Sequence, residues 1–193
     1  SRNVLYRADI EGSTSIPILS EIGYERSKNP IVLQEGVASL VGEQFRKLRA
    51  SLGFIGIGSK RKKILVTSTL SGEGKSFIAA NLALSLAMGG KKVVLVEADL
   101  SNPSLSEKLG IDEERGLSTY LTSEHEPEEI IKRTELHSNL FLISAGILPI
   151  NPSELIMNGR MEDLIVYLDN IFDHVIIDTA PVGALSDAYT LAP

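Results

Sequence analysis

Residues 64–88 read ILVTSTLSGEGKSFIAANLALSLAM, and the fold turns on how this stretch is read. The β-branched run at 64–68 predicts a strand. The Ala- and Leu-rich run at 76–88 predicts a buried helix, stopped by Gly89-Gly90. Between them lies Thr69-Leu70-Ser71-Gly72-Glu73-Gly74-Lys75-Ser76. A Gly-rich turn that leaves a strand, opens a helix and carries Lys-Ser at its end is the context a P-loop requires. Backbone N–H groups of residues 72–76 point inward around a phosphate chain, and the helix N-terminus adds its partial positive charge. Lys75 then reaches the β- and γ-phosphate oxygens and the Ser76 hydroxyl ligates Mg²⁺. Ser71, Gly72, Glu73, Gly74 and Phe77 complete the expected binding set. Thr69 stands where the common pattern has its first glycine.

Working outward, apolar runs at 93–96 (VVLV), 140–144 (LFLIS) and 175–178 (VIID) predict three more strands. They lack polar alternation, as strands of a parallel sheet covered on both faces do. Helix is expected at 37–52, where Val37, Val41, Phe45, Leu48 and Leu52 form an apolar stripe. It is also expected at 153–171, with a break near Asn158-Gly159. Residues 102–135 read as mixed helix and loop, and 186–193 as the start of a helix. The expectation is a three-layer α/β/α P-loop NTPase with a mainly parallel sheet. A sheet of this kind usually continues past a fourth strand, so the chain reads as truncated at its C-terminal end. Residues 1–36, with scattered Gly, Pro and Asn, read as an extended lead-in to a domain spanning 37–193.

A P-loop needs a carboxylate for its metal. Asp178 ends the strand HVIID and is expected at the carboxyl edge of the sheet. Glu97-Ala98-Asp99 ends another strand, and residues i and i+2 of a strand face the same way. Both carboxylates are therefore expected at the nucleotide, one positioning or deprotonating the attacking group, the other on the metal. Gly56-Ile57-Gly58 is a weaker feature: it precedes the first strand, and Arg61 occupies the third position of a dinucleotide fingerprint. His125, His137 and His174 have no ligand spacing, and the basic run 60–63 reads as a solvated rim.

With 193 residues, 43% hydrophobic and 23% charged, the chain is of globular composition and about one domain in size. It has no cysteine, which excludes disulfide scaffolds, thiolate metal sites and cysteine nucleophiles. No stretch has the roughly 18 apolar residues of a membrane span. The start, SRNV, has neither Met nor an apolar leader and reads as an excised piece. Residues 1–63 hold 11 Lys/Arg against 6 Asp/Glu, and residues 64–193 hold 8 against 19. The basic third is suited to meet something acidic, such as a membrane surface or the body of another copy. Nucleic acid is not expected, because the body is acidic.

Four blocks, VTSTLSGEGKSFIAANLALSLA, VVLVEADLSNPSL, SAGILPINPSELI and FDHVIIDTAPVGALSDA, resemble the bacterial tyrosine kinases (BY-kinases). These are the cytoplasmic kinase domains of capsular and exopolysaccharide export systems. The lead-in IPILSEIGY resembles the segment joining that family's second transmembrane helix to its kinase domain. The resemblance implies γ-phosphoryl transfer from Mg-ATP to tyrosines of a neighbouring copy, with ATP/ADP and Mg²⁺ as cofactors. It implies that Lys75 and Ser76 are the Walker A pair, Glu97 and Asp99 the Walker A′ acids and Asp178 the Walker B aspartate. Lys75, Glu97, Asp99 and Asp178 would be catalytic, and Ser76, Asp99 and Asp178 would serve the metal. Glu43, Arg46 and Arg49 match its E-x-x-R-x-x-R motif, linked to ring-like self-assembly. On a helical wheel these three fall outside the apolar stripe, free to contact another copy. The implied setting is the cytoplasmic face of the bacterial inner membrane, beside the polysaccharide export machinery and opposed by a tyrosine phosphatase.

Four departures stand out. Glu97 replaces the usual Asp, Ser101 the frequent Arg and Phe77 the frequent Thr, and Tyr6, Tyr24, Tyr120, Tyr167 and Tyr189 form no cluster. Two other functions compete with the kinase. One is a ParA/MinD-type ATPase switch, which usually carries an extra Lys where this chain has Leu70 or Ser71. The other is a non-catalytic nucleotide-binding assembly module.

Overall fold

The computed structural model describes residues 6–25, 29–56, 62–111 and 114–183. Five strands form one sheet: β1 (Lys63–Val66), β2 (Val93–Glu97), β3 (Lys132–Arg133), β4 (Leu140–Ile143) and β5 (His174–Asp178). Their order is β1-β5-β2-β4-β3. The first four in that order run parallel, and β3 adds an antiparallel two-residue edge. The parallel strands are the four that their apolar runs predict. β3 consists of Lys132 and Arg133 and pairs with β4 through its backbone, so no hydrophobic pattern marks it.

Eight helices accompany the sheet among the described residues: α1 (Arg7–Glu11), α2 (Leu40–Phe54), α3 (Lys75–Met88), α4 (Leu105–Leu109), α5 (Leu117–Leu121), α6 (Pro127–Ile130), α7 (Pro152–Ile156) and α8 (Arg160–Ile171). The helix start expected at 186–193 lies outside the described residues.

Strand alternation divides the core in two. Val93 and Leu95 of β2 face α2 and α3, together with Leu140, Leu142 and Ile176. Val94 and Val96 face α5, α7 and α8, together with Val175, Ile177 and Ile143. This is the three-layer arrangement, with both faces of the sheet covered.

The helix ends follow local chemistry. Ser39 caps α2 by accepting a hydrogen bond from the Gly42 N–H at 3.0 Å. Phe45 and Leu52 of the stripe are buried, whereas Val37 precedes the helix and is exposed. The expected break near Asn158-Gly159 separates α7 from α8, with Gly159 at φ 83°.

Part of the lead-in is built into the body. Ile31 and Leu33 are buried in the α2/α3 half of the core. The buried Asn81 side chain in mid-α3 donates to the carbonyls of Pro30 (2.8 Å) and Phe77 (2.9 Å) and accepts from the Val32 N–H (3.0 Å).

Because β5 lies between β1 and β2, their carboxyl ends share one edge. Asp178 is in register with Val66 on one side and Glu97 on the other. Open α/β sheets bind ligands at this edge.

Candidate nucleotide site

The loop from β1 to α3 is shaped by two glycines and one carboxylate. Gly72 (φ 86°) and Gly74 (φ 95°) adopt left-handed backbone, which side chains disfavour. The Glu73 carboxylate accepts from the N–H groups of Thr69 (2.7 Å) and Leu70 (3.0 Å), bracing the loop from within. The segment after β5 supports it from outside, with Val182 and Gly183 donating to the carbonyls of Ser68 and Thr69.

Lys75 opens α3 and turns toward the sheet edge. Its ammonium lies 2.7 Å from Asp99 Oδ2, 3.8 Å from Asp178 Oδ1 and 3.3 Å from Ser76 Oγ. All three charged side chains are largely buried. Burial pushes the Asp178 carboxyl up to about 6. The Lys75 charge and a Ser76 hydrogen bond oppose that rise, and the neighbouring Asp99 and Glu97 add to it. Buried Asp178 Oδ1 has no hydrogen-bond partner. A buried carboxylate oxygen without a hydrogen bond, beside a hydroxyl and below a phosphate-binding loop, fits Mg²⁺, which needs few protein ligands when phosphates and water supply the rest. Among the described residues no cluster of three or more His, Cys, Asp or Glu side chains could hold a metal alone.

A cavity of about 330 Å³ opens here, lined by Ser71, Gly72, Gly74, Lys75, Ser76 and Phe77. Asn102, Ser104 and Lys108 complete its wall; Asn102 and Ser104 fall within the VVLVEADLSNPSL block, and no motif in the sequence marks Lys108. Phe77 also packs edge-on against Phe45, tying the loop to α2. A second hollow, of about 390 Å³, lies between Gly72–Gly74 and the lead-in at Ile22 and Tyr24. A third, of about 450 Å³, lies along α3 near Leu84 and Met88 and touches no residue of the loop.

Two expected placements are corrected. Glu97 is directed at α4 and Ala145 and does not line the cavity at the glycine loop. Its fully buried carboxylate accepts from the N–H groups of Ser104 (2.7 Å), Leu105 (2.5 Å), Ser106 (3.3 Å) and Ala145 (3.2 Å), and from the Ser106 hydroxyl (2.6 Å). β2 ends at Glu97, so the i/i+2 rule does not extend to Asp99, which turns instead to Lys75. Arg49 is half-buried rather than wholly at the surface, and one N–H of its guanidinium donates to the Ser85 carbonyl near the end of α3. Glu43 and Arg46 pair with each other at the helix surface.

The remaining candidates stay apart from the site. Of the basic run, Lys63 pairs with Asp169 and Lys62 donates to the Asp169 carbonyl, while Lys60, Arg61 and the Ile57-Gly58 pair lie outside the described residues. His125 faces Glu129, and His137 accepts from the Asn139 N–H. His174 begins β5 at the opposite edge of the sheet, where burial holds its imidazole below the ordinary value.

Comparison with known proteins agrees with this geometry. Residues 59–186 match the family described as NUBPL iron-transfer P-loop NTPase. Tyrosine-protein kinase YwqD of Bacillus subtilis is 34% identical over 169 residues, which are 88% of this chain and 70% of that protein. Putative tyrosine-protein kinase EpsB of Ralstonia nicotianae is 39% identical over 78% of this chain, which spans only 20% of that longer protein. Among solved structures, the chimerical protein CapA2B2 superposes with a TM-score of 0.87 at 32% identity, over 96% of this chain and 80% of that one. The septum site-determining protein MinD of Pyrococcus horikoshii, complexed with Mg-ADP, matches less fully, with a TM-score of 0.58 and 27% identity over 67% of this chain and 52% of that one. With the loop, the two aspartates and the sheet order in place, the chain belongs to the bacterial tyrosine-protein kinase family of P-loop NTPases.

Proposed function

We propose that this chain is an ATP-dependent protein-tyrosine kinase that phosphorylates neighbouring copies of itself and thereby regulates capsule or exopolysaccharide polymerisation and export. The observation that carries the reading is the convergence of Lys75, Asp99 and Asp178 beneath the glycine loop. Phosphoryl transfer demands positioning and charge neutralisation more than covalent help from the protein. The loop amides and Lys75 hold the phosphate chain in line with an incoming tyrosine oxygen. The bond from the γ-phosphorus to the ADP oxygen breaks as the bond to the tyrosine oxygen forms, and Asp99 takes the phenolic proton. Ser76 and Asp178 would hold Mg²⁺, which supplies neutralisation of the phosphate oxygens when bound.

We assign self-association to Glu43, Arg46 and Arg49 of α2; the exposure of Glu43 and Arg46 supports this reading. The proposed setting is the cytoplasmic face of the inner membrane, beside the export machinery and opposed by a tyrosine phosphatase. No helix among the described residues is long and apolar enough to cross a membrane.

An ATPase switch is the second reading, favoured by the likeness to MinD. One assay separates the two. The chain is incubated with Mg-ATP and a tyrosine-rich peptide, and ADP and phosphotyrosine are quantified together. The kinase reading expects them in nearly equal amounts. ADP without phosphotyrosine would support the switch instead.

A further inference from the structure

We propose that Lys108 is a second cation for the phosphate chain, and that Glu97 acts as the positioning residue that sets it there. The inference rests on the nucleotide reading above and adds to it a contact that no motif assigns. The cavity at the glycine loop is lined by two cations, Lys75 and Lys108. Lys75 is shared between the carboxylates of Asp99 and Asp178, so with both ionised that trio carries no net positive charge. Ser101, in the turn after β2, supplies none either. Lys108 is different. Among the described residues it forms no ion pair within 4.0 Å. It is the cation in this wall that is not committed to a carboxylate.

The place of Lys108 is fixed through α4. Glu97 takes the N–H groups of Ser104, Leu105 and Ser106 and the Ser106 hydroxyl, and joins them to β4 through Ala145. Leu105 and Ser106 are buried, which fixes the rotation of the helix and leaves Lys108 at the cavity rim. The first amides of α4 are already occupied by Glu97, so its ammonium is what the helix can offer an anion. This accounts for glutamate at 97: an aspartate, one methylene shorter, would not reach α4 from the end of β2 without a shift. Lys108 also borders the hollow that contains Glu35 and Glu135, the carboxylates that would compete for it.

The test is calorimetric titration of Mg-ADP into the parent chain and into Lys108→Met, Lys108→Arg, Lys108→Glu and Lys75→Met. A charge-assisted contact at a solvent-open rim predicts weakening of about fivefold for Lys108→Met and about 20-fold for Lys108→Glu, with Lys108→Arg within about twofold of the parent. Lys108→Met should also flatten the salt dependence of binding. Urea midpoints of the Lys108 variants should be unchanged. If Lys108→Glu binds like the parent while Lys75→Met loses binding, the inference is overturned and the nucleotide reading stands. If the parent itself fails to bind Mg-ADP, both fall. Equal losses of affinity and urea midpoint, unrescued by Arg, would make Lys108 a structural partner of Glu35 or Glu135 and overturn the proposal. For Glu97, a double-mutant cycle is read with Glu97→Asp, which keeps the charge. It should weaken Mg-ADP about threefold in the parent and hardly at all beside Lys108→Met. An equal loss in both backgrounds would overturn the positioning role.

Discussion

Replacing Asp178 by Asn removes a charge that the fold buries at a cost. The carboxyl rises from an ordinary 3.8 to about 6, chiefly through burial. The sign follows from linkage. A raised folded value means that the ionised group opposes folding, fully above pH 6 and progressively less toward pH 4. The two values correspond to about 3 kcal/mol of stability withheld at pH 7.5, and to about 0.5 kcal/mol at pH 4, where native Asp178 is mostly protonated. Asn is close to isosteric and carries no charge, and Lys75 keeps its contact with Asp99 at 2.7 Å. Asp178→Asn should therefore stabilise the apo-protein by about 2–3 kcal/mol at pH 7.5 and by less than about 1 kcal/mol at pH 4. Urea unfolding at the two pH values, with and without Asp178→Asn, reads this directly. A gain that does not change with pH, or a loss of stability at pH 7.5, would refute the reasoning. Mg²⁺-dependent nucleotide turnover should disappear in the same variant, because the carboxylate proposed to hold the metal is gone. A group that costs stability while it serves a site is the pattern expected at functional positions.

Other consequences concern the frame of the site. Glu97→Ala leaves five donors, four of them buried, without their acceptor and should lower stability by about 3–5 kcal/mol, read by urea unfolding, whereas Glu97→Gln should cost about half as much. Asn81→Ala removes two hydrogen bonds between α3 and the lead-in and one within α3; it should cost about 2 kcal/mol and speed proteolysis near residues 29–33 several-fold in a timed protease digest. Gly116→Ala should lower stability by about 3 kcal/mol in the same urea assay, because a Cβ there would lie 2.4 Å from the Ser144 carbonyl oxygen and the Gly146 nitrogen.

The sequence made the site legible where its signals are local. The loop at 69–76, the strand-ending Asp178 and the four apolar strands each carry their signature within a few residues. Four features did not. β3 pairs by backbone alone. Glu97 lies at the last residue of β2, so strand periodicity misplaced its relation to Asp99, and its true partners are seven or more residues away. Arg49 lies outside the apolar stripe of α2 by helical geometry, yet α3 passes close enough for its guanidinium to reach the Ser85 carbonyl. Lys108 lines the cavity from α4, a short helix hydrogen-bonded to the end of β2. In each case tertiary contact decided the outcome, which a helical wheel or a strand alternation does not contain.

The central claim is that Lys75, held between Asp99 and Asp178, serves γ-phosphoryl transfer to tyrosine. The most direct measurement is phosphotyrosine formation from Mg-ATP by the parent chain and by Lys75→Met, quantified by mass spectrometry under identical conditions. Phosphotyrosine formation should fall about 100-fold or more in the variant, by analogy with the loss of a donor that stabilises transition-state charge. Phosphotyrosine formed by Lys75→Met at the parent's rate would contradict it.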